Sequence, residues 1–232
     1  MSGATIELRG VAGSFVPHAQ GGAVRPAPAG AAPTVRPGEG VALSGPSGLG
    51  KSTLMRAVYG DCLVDAGVVR VAGIDVATAS PREIPRPLRE TLGHVSQFLR
   101  VTPQAPAREV AAEPPLALGR PRGEALAPAE ALPERLGVPE RLRARSPMTF
   151  SGGERQRVNV ARGFAHGGPA LPVDEPTGSL DPENRAVALA TIAEAKARGA
   201  AVLGMFHDAA ARAEACDREI DLAAFAPGRA AA

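Results

Sequence analysis

The stretch that decides the fold is Gly45-Pro46-Ser47-Gly48-Leu49-Gly50-Lys51-Ser52, with Thr53 behind it. It fits the pattern G-x-x-x-x-G-K-[ST], which is typical of a phosphate-binding loop between a strand and a helix. The apolar run 41–43 before it predicts a buried strand, and residues 54–59 after it predict a helix. Because glycines let the backbone aim N–H groups at phosphate oxygens beside a helix N-terminus, we predict a nucleoside triphosphate site. Lys51 would lie on the β- and γ-phosphates, and the Ser52 hydroxyl would bind Mg²⁺.

Composition narrows the class of protein further. The chain has 232 residues, of which 44% are hydrophobic and 22% charged, so it can bury the core of one large α/β domain. The net charge is only +2 and aromatic residues make up 3%, which disfavours a nucleic-acid surface. No apolar run approaches the roughly 18 residues of a membrane span. We therefore expect no nucleic-acid partner and no direct membrane insertion.

The N-terminus and the cysteines favour a cytoplasmic protein. Residues 6–9 alternate between apolar and charged types, which indicates a strand and not a signal peptide. Cys62 and Cys216 lie far apart with no further ligand at metal-binding spacing. We interpret them as free thiols in a reducing compartment.

Strands alternate with helices along the chain, which predicts a mainly parallel sheet covered on both faces. Strands are expected within 4–17 and at 68–72, 94–96, 170–173, 200–206 and 220–222, and helices at 154–164 and 182–198. Between about 105 and 146, short helices interrupted by prolines predict a helical insertion. Pro172 removes a hydrogen-bond donor from what should be a central strand, so we expect a distortion or bulge there, with lowered activity left open.

Asp174-Glu175 follows an apolar strand downstream of the loop. A strand-terminal aspartate can hold Mg²⁺, and the adjacent glutamate can polarise the water that attacks the γ-phosphate. The alternative is an acidic strand end in an ordinary turn, since Pro176-Thr177-Gly178 follows.

The stretch Phe150-Ser151-Gly152-Gly153-Glu154 places a hydroxyl and two glycines at the start of a helix. This pattern is typical of a second anion-binding helix N-terminus, or of an ordinary N-cap with a flexible entry. With the phosphate-binding loop, it resembles the ATP-binding cassette (ABC) ATPases, whose signature is L-S-G-G-Q/E. The resemblance extends in the family's order to Gln97 (Q-loop), 179–181 (D-loop) and His207 (switch histidine).

The resemblance implies an α/β fold of the P-loop NTPase class, with an ABC-type core, a mainly parallel sheet, N-terminal antiparallel β strands and a helical subdomain. The chain would be a single ABC ATPase domain over 1–232. A RecA-like core would span 1–97 and 150–232, and the helical signature subdomain about 98–149.

In that family two subunits pack head to tail, with ATP between the loop of one and the signature of the other. The resemblance implies that Phe15 stacks on adenine, Glu175 is the general base, and His207 contacts the γ-phosphate. Gln97 would serve both catalysis and the metal, which it would hold with Ser52 and Asp174. The nucleotide would be bound by Gly45, Pro46, Ser47, Gly48, Leu49, Gly50, Lys51, Ser52 and Thr53, and by Ser151, Gly152, Gly153 and Asp181, of which Ser151 and Gly153 serve the partner's ATP.

The segments between these motifs, among them 95–101, 137–142, 159–164 and 194–208, are similar to the L proteins (PhnL) of bacterial carbon–phosphorus lyase systems. That resemblance implies a role with the G, H and I proteins (and J), which form ribose 1-phosphonate 5-triphosphate from MgATP and a phosphonate. The dimer would be a homodimer or a pair with the sister K protein. Two alternatives stay open: the ATP-binding subunit of a membrane transporter, and a weakly active structural module.

Overall fold

The computed structural model describes residues 5–12, 32–60, 66–76, 86–99 and 104–225. The predicted position of Phe15, and Cys62, lie outside these ranges. Two sheets form the frame. One is antiparallel with the strand order β2-β1-β4-β5, built from β1 (Ile6–Ala12), β2 (Thr34–Val35), β4 (Ala66–Val71) and β5 (Ile74–Asp75).

The second sheet is parallel and has the order β6-β7-β3-β8. Its strands are β3 (Gly40–Ser44), β6 (Ala170–Asp174), β7 (Ala201–Met205) and β8 (Arg218–Asp221). All five residues of β7 are buried, as expected for a strand covered on both faces. The predicted edge strand near the C-terminus is confirmed as β8, which pairs with β3.

Helices cover both sides of the parallel sheet. Helix α1 (Lys51–Tyr59) lies between the two sheets, where Leu54, Met55 and Val58 join the largest apolar cluster. On the other face, α6 (Gly152–Ala165) and α7 (Pro182–Ala197) pack in a second cluster with Val160, Phe164 and Ile192. Helices α2 (Arg86–Thr91) and α8 (Ala209–Ala215) complete the layers.

The predicted helical insertion consists of α3 (Ala107–Ala117), α4 (Arg122–Arg135), α5 (Glu140–Arg143) and a 3₁₀ turn (Pro147–Thr149). The prediction that each proline interrupts a helix was partly wrong. Pro121 and Pro139 do precede α4 and α5, but Pro114 and Pro115 lie inside α3, and Pro128 and Pro133 lie inside α4. In α4, burial of Ala125, Ala129 and Pro133 offsets the hydrogen bonds that its two prolines remove.

Pro172 does not produce the bulge expected in a central strand. Strand β6 keeps an unbroken parallel register with β7 from Ala170 to Asp174. Because the Asp174 N–H donates to Val95 O on the opposite side, strand alternation turns the Pro172 nitrogen to that side as well. Only isolated bridges, Leu92–Ala170 and Val95–Val173, form there within the described residues, so the strand predicted at 94–96 is reduced to a bridge.

Candidate functional site

The carboxyl ends of the parallel strands bring most of the predicted residues to one edge. Strand β3 ends at Ser44 and runs into the phosphate-binding loop, and β6 ends at Asp174. Strand β7 lies between them, with Met205 paired to Asp174 and His207 two residues further on. The loop, the acidic pair and His207 therefore share the edge where ligands bind in open α/β sheets.

The loop leaves the start of α1 available to an anion. Gly45, Gly48 and Gly50 have φ angles of 120°, 89° and 83°, a region in which glycine is strongly favoured. Helix α1 begins without a side-chain cap and with no acidic residue in its first turn, whereas α7 and α8 are capped by Asp181 and Asp208. N–H groups at a helix start without a side-chain cap, together with the helix dipole, suit a phosphate group.

Lys51 lies at the mouth of this loop. Its ammonium group donates to the carbonyl oxygens of Gly45 at 2.6 Å and Pro46 at 3.0 Å. These bonds fix a positive charge beside the N-terminus of α1, where it complements phosphate. Ser52 is exposed at the same helix end, while Thr53 is buried beneath it.

The Asp174 carboxylate is held in conditions that suit a cation. Burial, and then the charge of Glu175, raise its pKa to about 6, although Arg56 and His207 act in the opposite direction. Within the described ranges no hydrogen-bond donor contacts this carboxylate. A half-buried carboxylate that accepts no hydrogen bond among the described residues suits Mg²⁺, for which Ser52 and Gln97 are the other predicted protein ligands.

No group of three or more His, Cys, Asp or Glu residues in the described part of the chain could hold a metal ion. Mg²⁺ is commonly bound through one or two carboxylates together with phosphate and water, so a site at Asp174 does not require such a group.

Glu175 is fixed at both ends. Its backbone N–H donates to Met205 O at 3.0 Å, and its carboxylate accepts from the His207 backbone N–H at 3.0 Å. Its φ angle of +52° is in the left-handed region, which is uncommon for residues other than glycine. The carboxylate is thus held beyond the end of β7 by the backbone of His207, whose side chain is exposed.

Gln97 lies near the same edge because Val95, two residues before it, pairs with β6. The Asp174 N–H donates to Val95 O at 2.8 Å, and the Val95 N–H donates to Pro172 O at 3.1 Å. These bonds place Gln97, which is exposed, two residues beyond the segment that pairs with β6.

The signature stretch is not joined to this edge through Ser151. Ser151 and Glu154 form a capping box, in which the Glu154 carboxylate accepts from the Ser151 N–H and hydroxyl, both at 2.8 Å. These bonds lower the pKa of Glu154. No hydrogen bond or ion pair between described residues links 151–153 or Asp181 with the loop at 45–51. Asp181 instead caps α7, and the two bonds from Asn184 lower its pKa.

Three residues of the site were missed by the sequence analysis. Asp221 ends β8 beside Gly45, where a Cβ atom at Gly45 would lie 3.0 Å from its Oδ1. Gln156 and Asn159 are polar yet buried, and they lie on the core-facing side of α6. The sequence did carry a signal for Gln156 and Asn159, because both are polar at positions where the helical period predicts apolar residues.

A family model described as "ABC transporter" matches residues 30–178 of this chain. Among curated proteins, the lipoprotein-releasing system ATP-binding protein LolD of Maricaulis maris is 38% identical over 209 residues, covering 90% of each chain. The pyoverdine export ATP-binding/permease protein PvdT of Pseudomonas entomophila is 40% identical over 185 residues, covering 78% of this chain. The macrolide export ATP-binding/permease protein MacB of Marinobacter nauticus is 37% identical over 205 residues, covering 88% of it.

The chain spans only 28% of PvdT and 31% of MacB. Among solved structures, the dimeric post-hydrolysis state of the ATP-binding cassette MJ0796 bound to ADP and Pi superposes with a TM-score of 0.82 at 24% identity, covering 93% of each chain. A structure described as the ATP-binding subunit of an ABC transporter gives a TM-score of 0.78 at 26% identity, covering 94% of this chain and 85% of that one. The two likenesses agree with the two-sheet architecture and the helical insertion described above.

None of the helices in the described part of the chain has the length and apolar character needed to cross a bilayer.

Proposed function

Because the chain belongs to the ATP-binding cassette family, we propose that it is the ATP-hydrolysing subunit of an ABC membrane transporter. The observation that carries the proposal is the convergence of the phosphate-binding loop, Asp174 and Glu175 at one sheet edge. The relatives named above, which are export and lipoprotein-releasing proteins, support a transport role over the carbon–phosphorus lyase role that the sequence analysis favoured.

In the proposed reaction, Lys51 and the N–H groups at the start of α1 hold the β- and γ-phosphates of ATP. When bound, Mg²⁺ would neutralise phosphate charge, with Asp174, Ser52 and Gln97 as its protein ligands. The Glu175 carboxylate, held by the His207 N–H, orients the attacking water and accepts its proton. The protein's contribution is therefore mainly positioning and electrostatic stabilisation.

We propose that two such subunits share each ATP. Ser151 and Gly153 would contact the nucleotide of the partner subunit, and Gly152 and Asp181, the last residue of the D-loop, would bind nucleotide as well. The described structure supports this because the signature stretch makes no hydrogen bond to the loop of its own chain. The fold likeness to MJ0796, a cassette described as dimeric, agrees with it. Phe15 is proposed to stack on adenine, and 98–149 to form the helical subdomain of one ABC domain.

The proposed membrane partner needs an apolar docking surface on this chain. Two large apolar side chains are strongly exposed among the described residues: Phe98 at 74% and Met148 at 58%. Phe98 directly precedes Leu99, and Met148 lies two residues before Phe150. Leu99 and Phe150 both belong to the small apolar cluster that contains Val110. Exposed apolar groups beside Gln97 would link partner binding to the ATP site. A cytoplasmic location is part of this proposal.

The second candidate function is the ATPase of a carbon–phosphorus lyase system, acting with the G, H, I and J proteins and a K-type partner. Its support is the resemblance of 95–101, 137–142, 159–164 and 194–208 to the L proteins of such systems. Both candidates use the same ATP site, so their difference lies in the partner that docks beside Phe98.

The first test is Glu175→Gln in the purified full chain. If Glu175 is the general base, MgATP turnover should fall by a factor of about 100 to 10,000 while ATP binding is retained. A retained ATP-bound dimer, seen by size-exclusion chromatography, would accompany this loss. Turnover equal to that of the wild type would contradict the assignment of Glu175.

The second test separates the two candidate functions by the partner that stimulates turnover. The purified chain is assayed with the membrane components of an export system in vesicles, and separately with the lyase core proteins. Stimulation by the membrane components alone supports the transporter proposal, and stimulation by the lyase core alone overturns it.

A further inference from the structure

Helix α6 carries two buried polar side chains that contact the segments bearing Glu175 and Gln97 at the edge of the parallel sheet. Gln156 is 8% exposed and Asn159 is fully buried. The Gln156 amide Nε2 donates to the backbone carbonyl of Glu175 at 2.9 Å. This contact joins α6, which begins at the signature stretch, to the residue proposed as general base, although Gln156 and Glu175 lie 19 positions apart in the chain.

The carbonyl that Gln156 contacts belongs to the strained residue of the site. Glu175 has a φ of +52°, and such conformations persist where the surroundings hold them in place. Its carbonyl also accepts from the Gly178 N–H at 3.0 Å, which closes the turn after β6. With its N–H bound to Met205 O and one carboxylate oxygen bound to the His207 N–H, Glu175 has a partner outside its own turn for its N–H, its C=O and its carboxylate.

Asn159 supports Gln156 from the next turn of α6. Its amide Nδ2 donates to Ser96 O at 2.5 Å and to Gln156 Oε1 at 3.3 Å. Ser96 immediately precedes Gln97, so the same pair of side chains contacts both the Glu175 turn and the start of the Q-loop. A Gln156 amide with its oxygen held by Asn159 can present only its N–H group to Glu175.

We propose that Gln156, oriented by Asn159, is a positioning residue that holds the backbone of Glu175 so that its carboxylate faces the attacking water. This inference rests on the proposed function of Glu175 as general base. Because the N-terminus of α6 is proposed to contact the partner's ATP, the same helix connects one nucleotide to the general base of the other site. A buried amide pair provides a short and rigid connection of this kind.

The test compares Gln156→Met with the wild-type full chain. Methionine keeps the length of the side chain and removes the donor, so kcat for MgATP should fall about ten- to a hundred-fold with little change in KM. Gln156→Glu, which replaces the donor by an acceptor at nearly equal volume, should lose at least as much. Thr191→Val is the matched control, because it removes a buried hydroxyl, which donates to Val187 O within α7 and to no other group among the described residues.

Combining Gln156→Met with Glu175→Gln separates positioning from a general loss of structure. If Gln156 acts through Glu175, the double variant should turn over no more slowly than Glu175→Gln alone. Multiplying losses, or an equal fall in kcat for Thr191→Val, would overturn the inference. If Glu175→Gln itself keeps wild-type turnover, the proposed function of Glu175 fails first, and the two failures are thereby distinguished.

Hydrogen–deuterium exchange provides a readout that does not depend on turnover. In Gln156→Met the amides of the turn 175–180 should exchange several-fold faster than in the wild type, because the Gly178 N–H loses a fixed acceptor. Thr191→Val should leave this turn unchanged. Unaltered exchange at 175–180 in Gln156→Met would contradict the proposed contact even if the variant is less active.

Discussion

Asp174→Asn should stabilise the metal-free protein while abolishing its MgATP turnover. The Asp174 carboxyl has a pKa raised to about 6, first by burial and then by the charge of Glu175. Within the described residues it accepts no hydrogen bond that would compensate its charge. An asparagine of nearly the same shape removes the charge and therefore the cost of burying it.

The raised pKa sets the size of the effect. An unperturbed aspartate has a pKa of about 3.9, so the folded protein shifts this group by about two units, or about 3 kcal/mol at 1.36 kcal/mol per unit. Because Asp174 is only partly buried, solvent screening reduces this figure. We therefore expect Asp174→Asn to raise the free energy of unfolding by about 1 to 2 kcal/mol at about pH 8.

The sign of the pH dependence follows from linkage. Above about pH 6 the folded protein carries the buried charge, and its full cost is present. As the pH falls from about 6 towards about 4, the folded protein takes up the proton before the unfolded chain does, and the wild type recovers stability. The advantage of Asp174→Asn should therefore shrink over this interval.

The assay is urea unfolding in EDTA at about pH 8 and about pH 5, with wild type, Asp174→Asn and Glu130→Gln. Glu130 is an exposed carboxylate in α4 and serves as the matched control, which should change stability little at either pH. In a separate buffer without EDTA, MgATP should stabilise the wild type more than Asp174→Asn. If Asp174→Asn is no more stable than the wild type at about pH 8 without metal, the account of the Asp174 environment is wrong.

Two further predictions concern the packing beneath the site. His166 is buried, its Nε2 donates to Arg89 O, its Nδ1 accepts from the Gly168 N–H, and burial lowers its pKa. The stability of the wild type should therefore fall as the pH drops below about 6.5, whereas urea unfolding of His166→Gln should depend less on pH. Gly163→Ala would place a Cβ atom 2.5 Å from Val95 Cγ2 and 2.6 Å from His94 O, and should cost about 1 to 3 kcal/mol of unfolding free energy. Gly123→Ala, where a Cβ meets no atom within 4 Å, is the control for Gly163→Ala, and equal unfolding free energies would contradict the packing argument.

The parts of this site that the sequence predicts are those that local spacing determines. The strand, loop and helix around Lys51 are confirmed at Gly40–Ser44 and Lys51–Tyr59. The start of α6 after Ser151 and of α7 at Pro182 are confirmed in the same way. In each case the glycine, proline or capping residue acts within a few residues of the element it begins, so no knowledge of the tertiary fold is needed.

The remaining features depend on contacts between distant segments. The Asn159 amide meets Ser96 across 63 positions, and the Asp221 carboxylate reaches Gly45 only because β8 pairs with β3. Glutamate is not a residue type that favours the left-handed region, so the sequence does not predict the backbone conformation of Glu175. The side of β6 to which the Pro172 nitrogen points likewise follows from strand pairing, which is why a distortion was expected where the structure has none.

The residues that serve the proposed reaction are also those that cost stability. Asp174 keeps a charge that burial disfavours, and Glu175 adopts a backbone conformation that most residues avoid. Besides the turn bond from Gly178, the contacts that hold Glu175 come from distant parts of the chain, namely Met205 and His207 at the end of β7 and Gln156 on α6. The polar residues buried on α6 are therefore explained better by the demands of the catalytic edge than by the packing of the helix, where apolar side chains would serve equally well.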